Sequence, residues 1–181
     1  MTNNRHGMSD VRWYVVQTLK GREKKALLEI QEHVTEADEH AFIMENEKLY
    51  KHQGKWHRER ENLFPGYLFV VTGKPEKFDV RLRRKYHPLR LMRVDDAIRS
   101  IEPDEEEFLM RLGGENHVVK YSEGFQIGDK IVIEKGSLKG FEGEIRKKDR
   151  HNRQAKIAVS IFGRETEVTV ALGIVKSVRA N

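Results

Sequence analysis

The spacing of the apolar residues changes once along this chain, and this change constrains the fold more than any other feature. Up to about residue 112, apolar residues recur at helical spacing in several stretches, for example around Ile30 and around Phe78. After residue 124 the helical spacing disappears, and short segments rich in Ile and Val alternate with turn residues. The sequence therefore predicts two domains of different architecture.

The sequence up to about residue 112 predicts an α+β sandwich, in which helices pack on an antiparallel sheet. Helices are expected from about Arg22, Pro75 and Pro103, and strands at residues 13–16, 42–44, 68–71 and 89–94. Proline suits the first helical turn, and the acidic residues after Pro103 interact favourably with the helix dipole. The polar stretch 49–60 predicts a projecting hairpin, for which the sequence indicates no role.

The last part predicts a small barrel of five strands within 57 residues. These strands are expected at residues 131–133, 143–145, 155–161, 168–170 and 174–175. Gly113-Gly114 and the polar residues that follow predict a flexible linker. The expected organisation is a disordered tail at 1–10, a first domain at 11–112, a linker at 113–124 and a second domain at 125–181.

The positive charge of the chain is confined to the second domain. The chain has 34 Lys and Arg against 29 Asp and Glu, a net charge of +5, yet residues 1–124 contain 22 of each sign. A charge asymmetry of this kind favours a nucleic-acid or membrane partner for the basic part. The excess peaks at residues 146–156, which carry six positive charges and one negative charge. We call this segment the basic loop.

Several classes of protein are excluded by composition. The chain has no cysteine, so it has no disulfide framework and no thiolate metal site, and this fits a reducing cytosol. Apolar runs are too short to span a bilayer, and the first ten residues contain no apolar segment typical of a signal peptide. The eight His lack metal-ligand spacing, and nucleotide-binding and nucleophile motifs are missing. We expect a cytoplasmic protein without metal or cofactor that is not an enzyme.

Two motifs together resemble one family. The stretch Trp13-Tyr14-Val15-Val16, followed by a helix and by Leu63-Phe64-Pro65-Gly66-Tyr67-Leu68-Phe69-Val70, resembles the N-terminal NGN domain of the NusG family of transcription elongation factors. The segments 128–133, 136–143 and 160–168 resemble the C-terminal KOW domain of that family. KOW barrels also occur in ribosomal proteins, so the pair of motifs carries the resemblance, over residues 11–178. Within the family, Arg150-His151-Asn152-Arg153-Gln154-Ala155 is most similar to the LoaP-type antiterminators.

For the first domain, the resemblance implies an apolar surface that docks on the clamp helices of the large RNA polymerase subunit. The residues expected there are Trp13, Phe64, Pro65, Tyr67 and Phe69. Aromatic residues in such strands are equally suited to an ordinary core, and for Trp13 the core role and the docking role are both open. Two basic clusters, at Lys20, Arg22, Lys24, Arg83 and Arg84, are expected near upstream DNA, or else they form solvated helix faces.

For the second domain, the basic loop predicts an RNA-binding surface. Its expected contact residues are Arg146, Lys147, Lys148, Arg150, His151, Asn152, Arg153, Gln154 and Lys156. Arginine binds phosphate or guanine edges with two hydrogen bonds, and Asn and Gln add polar contacts. A loop of this kind favours a bulge or a hairpin end, because the major groove of duplex RNA is narrow. The alternative is a solvated loop that aids solubility.

The function implied is transcription antitermination by a monomer that works with transcribing polymerase at the bacterial nucleoid. The first domain would hold RNA polymerase and suppress pausing, and the KOW domain would bind an RNA hairpin in a leader transcript. In the general NusG factor, the surface matching Phe162 and Arg164 recruits the termination factor Rho or a small-subunit ribosomal protein. A housekeeping factor of that type and a ribosome-associated KOW protein are the alternatives.

Overall fold

The computed structural model describes residues 11–178, with side chains described for residues 11–174. Its helices are α1 (Glu23–His33), α2 (Pro75–Lys85) and α3 (Pro103–Gly113). Its strands are β1 (Arg12–Gln17), β2 (His40–Phe42), β3 (Glu45–His52), β4 (Lys55–Asn62), β5 (Tyr67–Thr72), β6 (Arg90–Leu91), β7 (Arg93–Val94), β8 (Ala97–Ile98), β9 (Val118–Val119), β10 (Ser122–Ile127), β11 (Lys130–Lys135), β12 (Ile145–Asp149), β13 (Gln154–Ile161) and β14 (Arg164–Val178). The tail expected at residues 1–10 lies outside the described residues.

The α+β class predicted from the sequence is confirmed. The three helices begin at or next to the predicted residues, and Pro75 and Pro103 occupy the first helical turns. The polar stretch 49–60 forms the predicted hairpin, in which β3 and β4 pair antiparallel around the Gln53-Gly54 turn. No helix in the described part of the chain is long and apolar enough to cross a bilayer.

The chain forms two compact units that are interleaved in sequence. The first unit contains residues up to Phe42 together with Gly66–Ile101, and the second contains Ile43–Pro65 and the residues from Glu102 onward. The β3–β4 hairpin and α3 are therefore grouped with the β-rich C-terminal part of the chain. The sequence predicted them in the domain 11–112, and the domain and linker boundaries stay predictions.

The first unit is built on a four-stranded sheet in the order β2-β5-β1-β6. Strands β1 and β5 pair antiparallel, with Val15 opposite Phe69 and Gln17 opposite Tyr67. The four central residues of β1 are all buried, which explains why this strand is a continuous apolar run rather than an alternating one. Helices α1 and α2 bury Ile30 and Phe78 in the core of this unit.

The second unit contains a five-stranded sheet in the order β11-β10-β14-β13-β12. The long strand β14 pairs antiparallel with β13 through its first half and parallel with β10 through its second half. The two last segments predicted from the sequence are thus one strand. The segment predicted at 143–145 is wrong, because Glu142–Glu144 forms a 3₁₀ turn and β12 begins at Ile145.

Part of the expected linker lies in strands. Residues of β9 are buried and pair parallel with β3, and β10 begins at Ser122 inside the sheet. Gly124, which the sequence analysis assigned to the linker, lies where two backbones approach closely. A Cβ atom at this position would lie 2.2 Å from the carbonyl oxygen of Val132. Glycine here marks close strand packing rather than a flexible connection.

Candidate nucleic-acid interface

The basic loop is a structured turn between β12 and β13. Asp149 accepts hydrogen bonds from the backbone N–H of Asn152 at 3.0 Å and from its side-chain Nδ2 at 2.8 Å. These two bonds stabilise the carboxylate and lower the pKa of Asp149. Arg153 has a positive φ of 50°, and its carbonyl oxygen accepts a bond of 2.9 Å from the Leu172 N–H. The only acidic residue of the loop therefore organises its backbone.

All nine side chains predicted to bind RNA lie on this one turn and its flanking strands. Six of them are exposed, and Lys148, Arg153 and Gln154 are half-buried. Lys147 lies opposite Lys156 across the β12–β13 pair. Like charges in directly opposed positions destabilise a sheet, so this pair favours a ligand that supplies negative charge.

The acidic partners of the basic loop are exposed. Arg146 lies 3.5 Å from Glu165 and Lys156 lies 3.4 Å from Glu167, and these two acidic side chains are 66% and 50% exposed. Lys148 donates a bond of 2.9 Å to Oε1 of Gln126, and Arg150 donates to the same oxygen. Exposed ion pairs of this kind contribute little stability and exchange readily for a phosphate partner.

The tip of the β3–β4 hairpin contacts this loop, which the sequence analysis did not foresee. The guanidinium carbon of Arg153 lies 4.5 Å from the centre of the Trp56 ring. Arg58 stacks in the same way over Tyr121, at 5.4 Å. A signal was present in the sequence, since residues 48–58 combine four Lys or Arg with two His and contain no acidic residue.

The aromatic residues expected to dock on polymerase have two different environments. Trp13 and Phe69 are buried and pack with Phe42, with ring centres 5.9 Å apart for the Trp13–Phe69 pair and 4.7 Å apart for the Trp13–Phe42 pair. Phe64 is buried as well, whereas Tyr67 is half-buried and Pro65 is exposed. Their role in docking stays a prediction; Tyr67 in the first unit and Pro65 in the second are the two that are not buried.

Comparisons with known proteins decide the family. The family model described as transcription termination factor nusG matches residues 11–107, more than half of the chain. The chain belongs to the NusG family. The transcription termination/antitermination protein NusG of Borreliella burgdorferi is 29% identical, covering 87% of this chain and 94% of that protein. The protein of the same name from Thermus thermophilus is 26% identical over the same shares.

A solved structure supports the same conclusion. The structure titled "Domain interaction in Thermotoga maritima NusG" is similar with a TM-score of 0.55 and 26% identity. It covers 91% of this chain and 96% of that one, so the likeness includes both the N-terminal α/β part and the C-terminal β part. NusG proteins are transcription factors rather than enzymes, and the resemblance derived from the two sequence motifs is confirmed at the level of the family.

The basic clusters expected near DNA in this NusG-family protein lie on the first unit. Lys20, Arg22 and Lys24 are exposed at the start of α1, and Arg84 is exposed near the end of α2. Arg83 instead lies 3.0 Å from Asp79, whose side chain is only 1% exposed. At least one member of the α2 cluster therefore has a structural partner.

A buried carboxylate that the sequence analysis missed holds the turn next to the aromatic strand. Glu23, the first residue of α1, accepts a bond of 2.6 Å from the Gly66 N–H. Burial opposes ionisation, but hydrogen bonds from the backbone of Glu23, Gly66 and Gly21 and the charge of Lys20 lower the pKa of Glu23. Gly66 has a φ of +90°, which suits glycine and explains the Pro-Gly pair in the motif.

The predicted protein-binding patch lies at the turn between β13 and β14. Phe162 and Gly163 both have positive φ, as in the turns that match the twist of a β-hairpin, and Arg164 is exposed. The N–H groups of Phe162 and Gly163 donate to the buried carboxylate of Glu105 at 3.0 and 2.8 Å, and the Ser160 hydroxyl donates to it at 2.7 Å. Burial raises the pKa of Glu105, but these bonds outweigh it and lower the pKa below its ordinary value.

Among the described residues, no three His, Asp or Glu side chains are grouped so that they could hold a metal ion. The arrangement that the structure does assemble is a cationic turn with exposed guanidinium and ammonium groups, next to an aromatic hairpin. Its chemistry is binding of a polyanion through charge-assisted hydrogen bonds and stacking.

Proposed function

We propose that this NusG-family protein is a transcription antitermination factor that binds a structured leader RNA through its basic loop. The observation that carries this proposal is the loop itself: nine polar or cationic side chains, six of them exposed, lie on one hydrogen-bonded turn and its flanking strands. A turn that is already ordered loses little conformational freedom on binding, so more of the interaction energy contributes to affinity.

The two parts of the chain have different partners in this proposal. Residues 1–124 have no net charge, and the NGN-type part binds RNA polymerase in the cytoplasm through a surface that includes Tyr67. The basic C-terminal part binds an RNA stem-loop as it leaves the polymerase. Binding to either partner raises the local concentration of the other, which restricts antitermination to transcripts that contain the stem-loop.

A salt titration with the full-length protein tests the RNA-binding role. The probes are a short RNA stem-loop with an unpaired bulge and an uninterrupted duplex of the same composition. We expect tighter binding to the bulged stem-loop, with a log–log salt slope of roughly −3 to −5 if four to six cations meet phosphates. Binding that hardly depends on salt, or equal binding to both probes, would contradict the proposal.

A housekeeping factor that recruits Rho or a ribosomal protein is the second candidate. It is favoured by the exposed Arg164 and the half-buried Phe162 at the β13–β14 turn. Mapping of RNAs crosslinked to the protein in cells, together with polymerase occupancy, separates the two candidates. One or a few leader RNAs support the specialised factor, whereas occupancy across most genes supports the housekeeping one.

A further inference from the structure

The tip of the β3–β4 hairpin, residues 48–58, is a cationic and aromatic surface to which no function has been assigned. It contains four Lys or Arg, two His, Tyr50 and Trp56, and no acidic residue. From Tyr50 to the end of the tip, every residue is exposed except Trp56, which is half-buried. Cations that alternate with aromatic rings are typical of surfaces that bind single-stranded nucleic acid.

The base of this hairpin is anchored to the β-rich part of the second unit. Strand β3 pairs parallel with β9, and Nδ2 of the buried Asn46 donates a bond of 3.1 Å to the carbonyl oxygen of Thr169 in β14. The Tyr121 N–H donates a bond of 2.7 Å to Glu47. These contacts hold the hairpin against the sheet that carries the basic loop, so the tip has a defined position relative to that loop.

The tip and the basic loop meet through Trp56 and Arg153. The guanidinium lies 4.5 Å from the ring centre, a distance at which the cation interacts with the face of the indole. The backbone of Arg153 is held by the bond between its carbonyl oxygen and the Leu172 N–H. The contact therefore joins the two cationic segments into one continuous surface.

The other face of the hairpin is also suited to stacking. Tyr50 and His57 lie opposite each other on β3 and β4, and their rings are stacked with centres 5.4 Å apart. Tyr50 is 40% exposed, so its ring is accessible to a base. His52 lies 6.0 Å from His57 on the same face.

We propose that residues 48–58 form a second part of the RNA-binding surface and take unpaired RNA next to the stem-loop held by the basic loop. Trp56 on one face of the hairpin and Tyr50 on the other stack on bases of a strand that passes round the tip. Lys51 and Lys55 contact its phosphates. The RNA here is single-stranded, because only unpaired bases expose a face for stacking. This inference rests on the proposed RNA-binding function and extends it to a segment of the N-terminal half of the chain.

The test compares two RNA probes on the full-length protein. One is the bulged RNA stem-loop, and the other is the same stem-loop with a single-stranded uridine tail. Trp56→Ala is expected to weaken binding of the tailed probe about tenfold more than that of the tail-less probe, since the ring stacks on a base of the tail and only supports Arg153 at the stem-loop. Lys51→Ala with Lys55→Ala is expected to make the salt slope for the tailed probe less steep by roughly 1.4.

Matched variants separate this effect from misfolding and from general loss of charge. Trp56→Phe keeps a ring for stacking and should restore most of the affinity. Lys130→Ala with Lys139→Ala removes two exposed charges from the same unit, outside the surface, and should change the affinity for both probes equally and slightly. Thermal unfolding of each variant shows whether the fold is retained.

Tryptophan emission supplies an independent readout. The chain has two tryptophans, and Trp13 is buried, so Trp13→Phe leaves Trp56 as the only reporter. The tailed probe should quench its emission more than the tail-less probe does. If Trp56→Ala binds both probes like the wild type, and the emission of Trp56 in the Trp13→Phe variant is unaffected by the tail, the inference is wrong while Arg150→Ala still tests the proposed function. If the wild type binds neither probe, both proposals are wrong.

Discussion

Helix α2 and the basic loop are both rich in arginine and lysine, but the carboxylates that pair with these side chains differ in burial. In α2, Arg83 pairs with Asp79 and Arg81 pairs with Glu36 and Glu39, and the side chains of Asp79 and Glu39 are almost completely buried. In the basic loop, Arg146 and Lys156 pair with acids that are at least half exposed.

This difference in burial shows that a count of basic residues is not enough to locate a polyanion site. A guanidinium beside a buried carboxylate cannot leave without stranding a charge in the interior, so it is committed to the fold. A cation beside an exposed carboxylate keeps its partner only weakly and can exchange it for a phosphate.

Removing the buried acid of α2 should have the largest effect. Asp79 lies 3.0 Å from Arg83 and 3.1 Å from Arg93, and accepts the Leu91 N–H at 2.9 Å. Asp79→Ala is expected to lower the free energy of unfolding by about 3 kcal/mol, since the buried Leu91 N–H loses its acceptor and both half-exposed arginines lose a charge-assisted bond. Urea denaturation followed by circular dichroism measures this loss.

Asp38→Ala, at an exposed pair with Lys74, is the control and should be nearly neutral. A small loss for Asp79→Ala would remove the contrast.

The two regions should respond oppositely when RNA binding is measured. Arg150→Ala with Arg153→Ala is expected to weaken binding of a bulged RNA stem-loop about 100-fold, the loss of two charge-assisted contacts. Arg83→Ala with Arg84→Ala removes the same formal charge from α2 and should change the affinity less than about threefold. Fluorescence anisotropy at fixed salt concentration compares them. Equal losses would show that only net charge matters.

Glu105 extends the contrast to a buried acid that meets N–H and hydroxyl groups rather than a cation. Glu105→Gln keeps the shape but weakens the bonds from Ser160, Phe162 and Gly163, and we expect a loss of about 1–3 kcal/mol in the free energy of unfolding. Glu107→Gln, two residues further on the same helix, is the comparison variant. If both variants unfold at the same urea concentration, the carboxylate does not stabilise the turn.

The same carboxylate predicts a pH dependence. The pKa of Glu105 is lowered in the folded protein from its ordinary value of 4.5, so its stabilising effect is complete above pH 4.5. It is lost as the pH falls through the lower folded-state value. The stability difference between the wild type and Glu105→Gln should therefore shrink in acid, which denaturation at several pH values measures. A difference that grows in acid would contradict the assignment.

Removing an exposed acid beside the basic loop should have the smallest effect on the free energy of unfolding. Glu165→Gln removes the partner of Arg146 and is expected to change the free energy of unfolding by less than about 0.5 kcal/mol. RNA affinity should rise slightly, because a negative charge near the phosphates disappears. A marked loss of stability would show that this pair is structural, like those of α2.

The sequence predicted the features that depend on neighbours in the chain. The starts of α2 and α3 follow from Pro75 and Pro103, and the β3–β4 hairpin follows from a polar stretch around Gln53-Gly54. All nine predicted RNA contacts lie together because they are contiguous in sequence. Strand β10 was missed because it is recruited by distant strands, β11 and β14, and its own residues include Gly124, which usually indicates a break.

The family, the fold class and the location of the positive charge follow from the sequence alone. Which of the charged side chains are available for a ligand depends on the tertiary structure. Asp79 and Arg93, Glu105 and Gly163, and Trp56 and Arg153 are far apart in the chain, and no local pattern pairs them. Pairing depends on which strands and helices meet in the folded core, because burial makes some ion pairs permanent and exposure leaves others exchangeable.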